Sequence, residues 1–162
     1  MEKILVTYYS KTGSTKEIAE RIGKNLSEKG LENDVIGMTD VKDLENYSKV
    51  ILGTPIYGMK MSPDFMKFVT ENAEGLKDKV LGVFPVAYIY YDGRKFWRKM
   101  MNKSIAKIEK TMNPEKPTKV FAGRVPEKMP AIMRILFGIN KDKPLDMVNL
   151  EEVDKWCEEL TK

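Results

Sequence analysis

VTYYSKTGSTKEIAE, residues 6–20, is the stretch whose reading decides the fold. An apolar run, Ile4 to Tyr9, stops at five small or polar residues, Ser10-Lys11-Thr12-Gly13-Ser14, and an amphipathic pattern begins at once. The run has the β-branched and aromatic content of a buried strand, with Lys3–Tyr9 as its expected extent. Ile18, Ala19, Ile22 and Leu26 then recur at helical spacing, so a helix is expected over Ser14–Lys29, with Gly30 placed to end it. Ser14 and Glu17 have the pattern of a capping box. Glu17/Arg21 and Glu20/Lys24 are spaced as i,i+4 ion pairs. The first unit is therefore strand, hydroxyl-rich turn, helix.

The alternation continues. Asn33–Met38, Lys49–Thr54, Val80–Ala87 and Lys119–Gly123 read as four further strands. Ser62 and Pro63 stand at the N-cap and first position of a helix with an inner face of Phe65, Phe68, Val69 and Ala73. From about Arg94 a basic helix carries Phe96, Trp97, Met100, Met101, Ile105 and Ile108. Pro130–Phe137 is a short apolar helix. A last helix runs from an Asn149 cap through Leu150, Val153, Trp156, Cys157 and Leu160. Five strands separated by helices imply βαβ units and a parallel sheet covered on both faces. The 162 residues fit one domain, 1–162.

Composition narrows the chemistry. The chain has one cysteine and no histidine. No zinc or iron site is expected, and Cys-His and Ser-His-Asp mechanisms are excluded. The lone Cys157 suits a reducing compartment, and no signal peptide or membrane span is expected, so the expected setting is cytoplasmic. Charge is uneven: residues 94–143 hold 14 Lys/Arg against 4 Asp/Glu, a net of +10 within a chain of net +4. Such asymmetry points to an acidic partner, a membrane surface or nucleic acid. The nucleic-acid reading is the weakest, because the basic residues share their helix with an apolar stripe and no aromatic platform is evident. Pro130–Phe137 reads either as core against the sheet, the preferred reading, or as a face resting on an anionic membrane within reach of a quinone.

In a parallel α/β sheet the turn at residues 10–15 lies at the carboxyl end of the first strand, where ligands bind. Free N–H groups at the helix start, hydroxyls of Ser10, Thr12, Ser14 and Thr15, and a glycine that lets backbone approach together make a phosphate cradle. The turn has no arginine and one lysine, Lys11, and neither G-x-G-x-x-G nor G-x-x-x-x-G-K-S/T is present. Neutral donors of this kind suit an enclosed phosphate monoester.

YSKTGSTKEIAE resembles the phosphate-binding loop of the flavodoxins, S/T-x-T-G-x-T followed by a helix. The resemblance implies noncovalent flavin mononucleotide (FMN) and a flavodoxin-like three-layer α/β sandwich on a five-stranded parallel sheet, order 2-1-3-4-5. It makes Ser10, Lys11, Thr12, Gly13, Ser14 and Thr15 the phosphate loop. GTPIYGMKMSPDF, residues 53–65, places Thr54, Pro55, Ile56, Tyr57 and Gly58 beside the flavin ring, with Tyr57 able to stack on it. Gly58 could turn its peptide carbonyl towards the ring nitrogen that gains a proton on reduction. VAYIYYDGRKFW, after the fourth strand, places Val86, Ala87 and Tyr88 at the ring edge, and Tyr88, Tyr90 or Tyr91 supplies a second aromatic face. No side chain is expected to act as acid or base, since the ring carries the chemistry.

GTPIYGMKMSPDFMKFV, VFPVAY and VFAGRVPEKMPAIMRILFGINK are similar to the menaquinone-dependent protoporphyrinogen dehydrogenase branch of this fold. The first functional reading is an electron-transfer protein working with a redox partner protein or a quinone. The second is a quinone-coupled protoporphyrinogen dehydrogenase relative. If the protein touches a membrane, residues 94–143 are where that peripheral contact is expected. Lys60, Arg94 and Lys95 fall in or beside the flavin loops and are expected to raise the flavin's potential above that of an acidic carrier.

Overall fold

The computed structural model describes residues 2–57, 59–88, 90, 94–139, 142 and 145–162. Strand β1 (Ile4–Tyr8) is followed by helix α1 (Ser14–Glu28), strand β2 (Asn33–Gly37) and strand β3 (Lys49–Tyr57). Both β2 and β3 pair with β1 in parallel, Val6 standing opposite Val35 on one side and Ile51 on the other. After β3 come the two-residue strand β4 (Lys60–Met61), helices α2 (Pro63–Glu71) and α3 (Ala73–Leu76), and strand β5 (Val80–Val86). Strand β5 extends the sheet in parallel beyond β3, with Gly53 opposite Phe84. Helices α4 (Lys95–Met112), α5 (Ala131–Phe137) and α6 (Leu150–Leu160) follow, and one turn of 3-10 helix, Met38–Asp40, stands after β2.

The last position of the sheet is held by residues 115–123. Glu115 N donates to Val80 O (3.0 Å), Lys119 N to Val83 O (3.1 Å) and Phe121 N to Pro85 O (2.9 Å), and Ala87 N donates to Phe121 O (2.9 Å). The order of the parallel strands is therefore the expected one. Only Val86 and Phe121 form a bridge, however. Pro114 and Pro117 remove ladder donors on the way in, which leaves this strand irregular. Strand β3 also runs three residues further than Thr54. Its end pairs with β4 in an antiparallel ribbon, Ile56 opposite Met61 and Tyr57 opposite Lys60, which two residues of sequence do not announce.

Alternate residues of each strand feed opposite cores, as a sheet covered on both faces requires. Leu5, Leu52 and Val83 pack with Phe65, Phe68, Met101, Ile105 and Ile108 on the side of α2, α3 and α4. Val6, Ile51 and Phe84 pack with Ile18, Ile22, Leu26, Val153, Trp156 and Cys157 on the side of α1 and α6. All seventeen of these side chains are buried, and burying each large one contributes about 1.5–3 kcal/mol.

Three local expectations are corrected. Glu17/Arg21 and Glu20/Lys24 do not pair. Arg21 instead forms a fork on Asp154 of α6, both N···O distances 2.6 Å, while Glu17 pairs with Arg124 and Glu20 with Lys16. For Arg21 and Glu17 tertiary partners outcompete exposed neighbours on the same helix, while Glu20 and Lys24 take the other exposed neighbour one turn away, Lys16 and Glu28. The Ser62 side chain makes no cap bond, although Ser62 is the N-cap and Pro63 opens α2. The core reading of residues 130–137 also fails. Helix α5 has no buried residue, and Ile132, Ile135 and Leu136 are 74%, 64% and 49% exposed. Its Phe137 docks edge-on against Trp97 at 5.6 Å, and the rest of the apolar face looks outward.

Candidate functional site

The chain turns from β1 to α1 over Gly13, whose φ of 90° lies in the left-handed region that glycine enters without a Cβ penalty. Ser10 Oγ accepts from Gly13 N (3.1 Å), which tightens the loop, and Glu17 N donates to Gly13 O (3.0 Å), which starts the helix. Gly13, not Ser14, is the N-cap, and no side chain caps α1. The capping box is therefore not formed, because the Glu17 carboxylate is taken by Arg124. The first-turn N–H groups are left without a side-chain acceptor, next to the hydroxyls of Thr12 and Ser14, which lie 3.4 Å apart.

Those two hydroxyls open onto a cleft of about 610 Å³, counting its mouth. One wall is Pro55, Ile56 and Tyr57 from the end of β3, with Met59 behind. Another is Val86, Ala87 and Tyr88 from the end of β5. Gly123 to Pro126, with Met129, Phe137 and Ile139, closes the far side. The cleft thus stands at the carboxyl ends of β1, β3 and β5, at the switch point where the chain crosses from one side of β1 to the other. It is polar where α1 begins and otherwise mainly apolar.

Thr12, Ser14, Pro55, Ile56, Tyr57, Val86, Ala87 and Tyr88 are brought together as the sequence reading expected. Ser10, Lys11 and Gly13 line an adjoining groove on the other side of the loop, with Tyr9 and Met38. Thr15 is buried within α1, and Thr54 is buried with its hydroxyl donating to Pro55 O (3.1 Å). Gly58 and Tyr91 lie outside the described residues. Tyr57 is exposed at the rim, with Lys11 Nζ 5.9 Å from its ring centroid. Partial burial pushes the Tyr57 phenol up, and the neighbouring Thr12 hydroxyl pulls it the other way. Of the tyrosines after β5, Tyr88 is buried and lines the cleft against Val125 and Ile139, whereas Tyr90 packs on the main core.

Sequence reading missed the far wall. It left the phosphate loop without an arginine, but Arg124 arrives there from the segment after β5. Its guanidinium donates from Nε to Asp146 Oδ2 (2.6 Å) and from Nη2 to Glu17 Oε2. Gly123 beside it packs on the loop so closely that a Cβ there would stand 3.3 Å from Ser14 Oγ and 2.8 Å from Val86 Cγ1. The only trace in the sequence is the glycine that ends FAG. The donor set as a whole, amides, two hydroxyls and one guanidinium beside an apolar slot edged by two tyrosines, fits a phosphate ester carrying a flat ring.

The fold and this cleft define a doubly wound α/β sandwich with its ligand site at the switch point. The chain belongs to the flavodoxin domain family, whose model matches residues 5–135. It is 30% identical to a flavodoxin of Clostridium saccharobutylicum over 89 residues, which is 52% of this chain and 56% of the relative. It is 34% identical to the protoporphyrinogen IX dehydrogenase [quinone] of Escherichia coli strain K12 over 77 residues, 46% of this chain and 42% of that protein. The chain spans about half the length of the curated relatives it matches. Among solved structures it shares its fold with a Fusobacterium nucleatum flavodoxin bound to flavin mononucleotide, at a TM-score of 0.57 and 19% identity, covering 99% of this chain and 98% of the other.

Proposed function

We propose that residues 1–162 form one domain that binds FMN noncovalently in this cleft and passes electrons through it. The observation that carries the reading is the uncapped start of α1, with Gly13 in the left-handed region and the Thr12 and Ser14 hydroxyls opening into a slot edged by Tyr57 and Tyr88. Bound there, the isoalloxazine would supply the redox chemistry. The chain's own residues have three tasks. First-turn amides with Thr12 and Ser14 hold the phosphate. Tyr57 and Tyr88 orient the ring and keep water from its faces. The apolar wall of Ile56, Val86 and Val125 holds the ring in a low-dielectric slot. The F. nucleatum relative of the same fold, with FMN bound, supports the choice of ligand. The test is release of a yellow chromophore on heat denaturation, identified by mass, and retitration of the apoprotein with FMN. Apoprotein that binds FMN no better than millimolar would sink the reading.

We propose that the electron partner is a redox protein or a quinone and that the protein works in the cytoplasm, docking on an anionic membrane surface. No helix among the described residues is long and apolar enough to cross a membrane. Instead Ile132, Ile135 and Leu136 project from α5 beside Phe96, 63% exposed at the start of α4. Phe96 contacts Trp97, and Trp97 contacts Phe137 of α5, which itself lines the cleft, so the apolar surface adjoins the site. Exposed Arg94, Lys95 and Lys99 belong to the start of α4, Arg94 bonding to Ile135 O, and exposed Lys128 lies just before α5. Apolar anchors accompanied by cations are the surface that anionic headgroups attract. Sedimentation with phosphatidylglycerol vesicles at low salt, lost in Ile132→Glu/Ile135→Glu, is the expected result. A protein that stays in the supernatant at low salt leaves a protein partner as the reading.

A further inference from the structure

We infer that Arg124 is a cationic ligand of the flavin's terminal phosphate and sets the preference of the cleft for phosphorylated over unphosphorylated flavin; this rests on the FMN reading above. The backbone first places the residue. Gly123 packs on Ser14, Val125 N donates to Leu145 O (2.8 Å), Met147 N donates to Gly123 O (3.2 Å), and Arg124 bridges Asp146 in antiparallel register. The side chain is then fixed from two directions. Asp146 accepts from Nε, while its other oxygen accepts from Val148 N at 3.0 Å, and Glu17 of α1 accepts from Nη2.

That leaves Nη1, which has no hydrogen-bond partner among the described residues. It lies 3.9 Å from where a Cβ on Gly13 would stand. The free edge of a rigid, permanently charged fork is therefore held over the glycine of the phosphate loop, beside Thr12 and Ser14 in the cleft wall. The charges argue the same way. Glu17 and Asp146 alone would repel a phosphate dianion. Arg124 lies between them and the loop, and its own position depends on both carboxylates, so removing it exposes the phosphate to two negative charges as well as deleting a charge-assisted donor.

Riboflavin offers the ring without the phosphate, so the ratio of its dissociation constant to that of FMN isolates the effect. Arg124→Gln is expected to lower this ratio roughly tenfold to a hundredfold, the range for a hydrogen bond to a charged group, with riboflavin affinity nearly unchanged. Arg124→Lys should restore part of the ratio, since it keeps charge and loses the fork. Glu17→Gln should raise it, because the amide oxygen can still accept from Nη2 and hold Arg124 in place while one negative charge near the phosphate is removed. The ³¹P resonance of bound FMN should titrate below the ordinary second phosphate pKa of about 6 in the parent protein and closer to it in Arg124→Gln. Circular dichroism checks the fold of each variant, and if Arg124→Gln does not fold, Arg124→Lys and Glu17→Gln decide by the same ratio. A ratio unmoved by these substitutions, in a protein that binds FMN, overturns this inference alone. A parent protein that binds neither flavin overturns the FMN reading instead.

Discussion

Gly53→Ala tests how the sheet positions the site. Gly53 stands opposite Phe84 across β3 and β5, and the Phe84 ring lies over it. A Cβ at Gly53 would stand 2.2, 2.5 and 2.8 Å from Phe84 Cζ, Cε2 and Cε1. Ordinary carbon contacts are at roughly 3.5–4.0 Å, so the ring would have to retreat by more than about 1 Å. It has little room to do so. Phe84 is fully buried and meets Phe121 and Trp156 edge-on at centroid distances of 6.4 and 6.1 Å. Overpacking of this kind costs about 1–3 kcal/mol, and the lack of free volume puts the expected loss in the upper half of that range. Stiffening of the unfolded chain by alanine returns about 0.4–1 kcal/mol, leaving a net loss of about 2 kcal/mol. Urea unfolding followed by circular dichroism measures it as a lower midpoint at unchanged slope. Phe84→Leu removes the three offending ring atoms, so in the double variant alanine should cost under about 1 kcal/mol, a coupling of at least about 1 kcal/mol. Additive losses, or a Gly53→Ala variant as stable as its parent, would refute the reasoning.

Asp154 accepts from Arg21 twice and from Asn25 Nδ2 (2.7 Å), and the Arg21 guanidinium holds its carboxyl down at about 2 against an ordinary 3.8. The group's folded pKa is depressed, so its contribution is complete above pH 4 and is lost as pH falls towards 2. Because the side chain is 36% exposed, screening reduces this contribution to roughly 1 kcal/mol; Asp154→Asn should lower the urea midpoint at pH 7 and flatten the fall in stability between pH 4 and 2. Lys60 pairs across the β3–β4 ribbon with Tyr57, at the rim of the cleft. Lys60→Glu should lower the flavin's second-electron potential by on the order of tens of millivolts, the scale for a partly screened surface charge, and a spectroelectrochemical titration showing a rise would contradict the placement of the ring beside Tyr57.

What could be read from sequence is what is close in sequence. The turn from β1 to α1 carries its own instructions, an apolar run, a glycine and a helical stripe, and it folds as read except for its cap, which is Gly13 without a side-chain bond. The Asn149 cap is similarly local, its side chain accepting from Glu151 N (3.0 Å) and Glu152 N (3.4 Å). Local pattern could not say which carboxylate each arginine would take. Glu17 meets Arg124 across 107 residues, and Asp154 meets Arg21 across 133. Each choice depends on the sheet having first brought the helices together. The site divides along the same line. Its β1–α1 loop and its two tyrosine walls are contiguous stretches, legible one by one, while the wall from Gly123 to Ile139 exists only after the chain has crossed the sheet a last time.

Helix α5 shows why composition alone misleads at that wall. Ala131–Phe137 is as apolar as a core helix, and apolar content measures how much surface would gain from cover without naming what covers it. A core helix on this sheet would have to displace α4, whose Met101, Ile105 and Ile108 already fill that face. The seven residues therefore sit on top of α4, gripped at one end where Trp97 Nε1 donates to Leu136 O (3.3 Å) and Arg94 Nη2 to Ile135 O (3.3 Å). Both donors come from the first turn of α4 or the residue before it, so the position of α5 is tied to the end of α4 that adjoins the cleft. The apolar surface that sequence assigned to the interior is thereby held beside the cleft, through Phe137, which belongs to both.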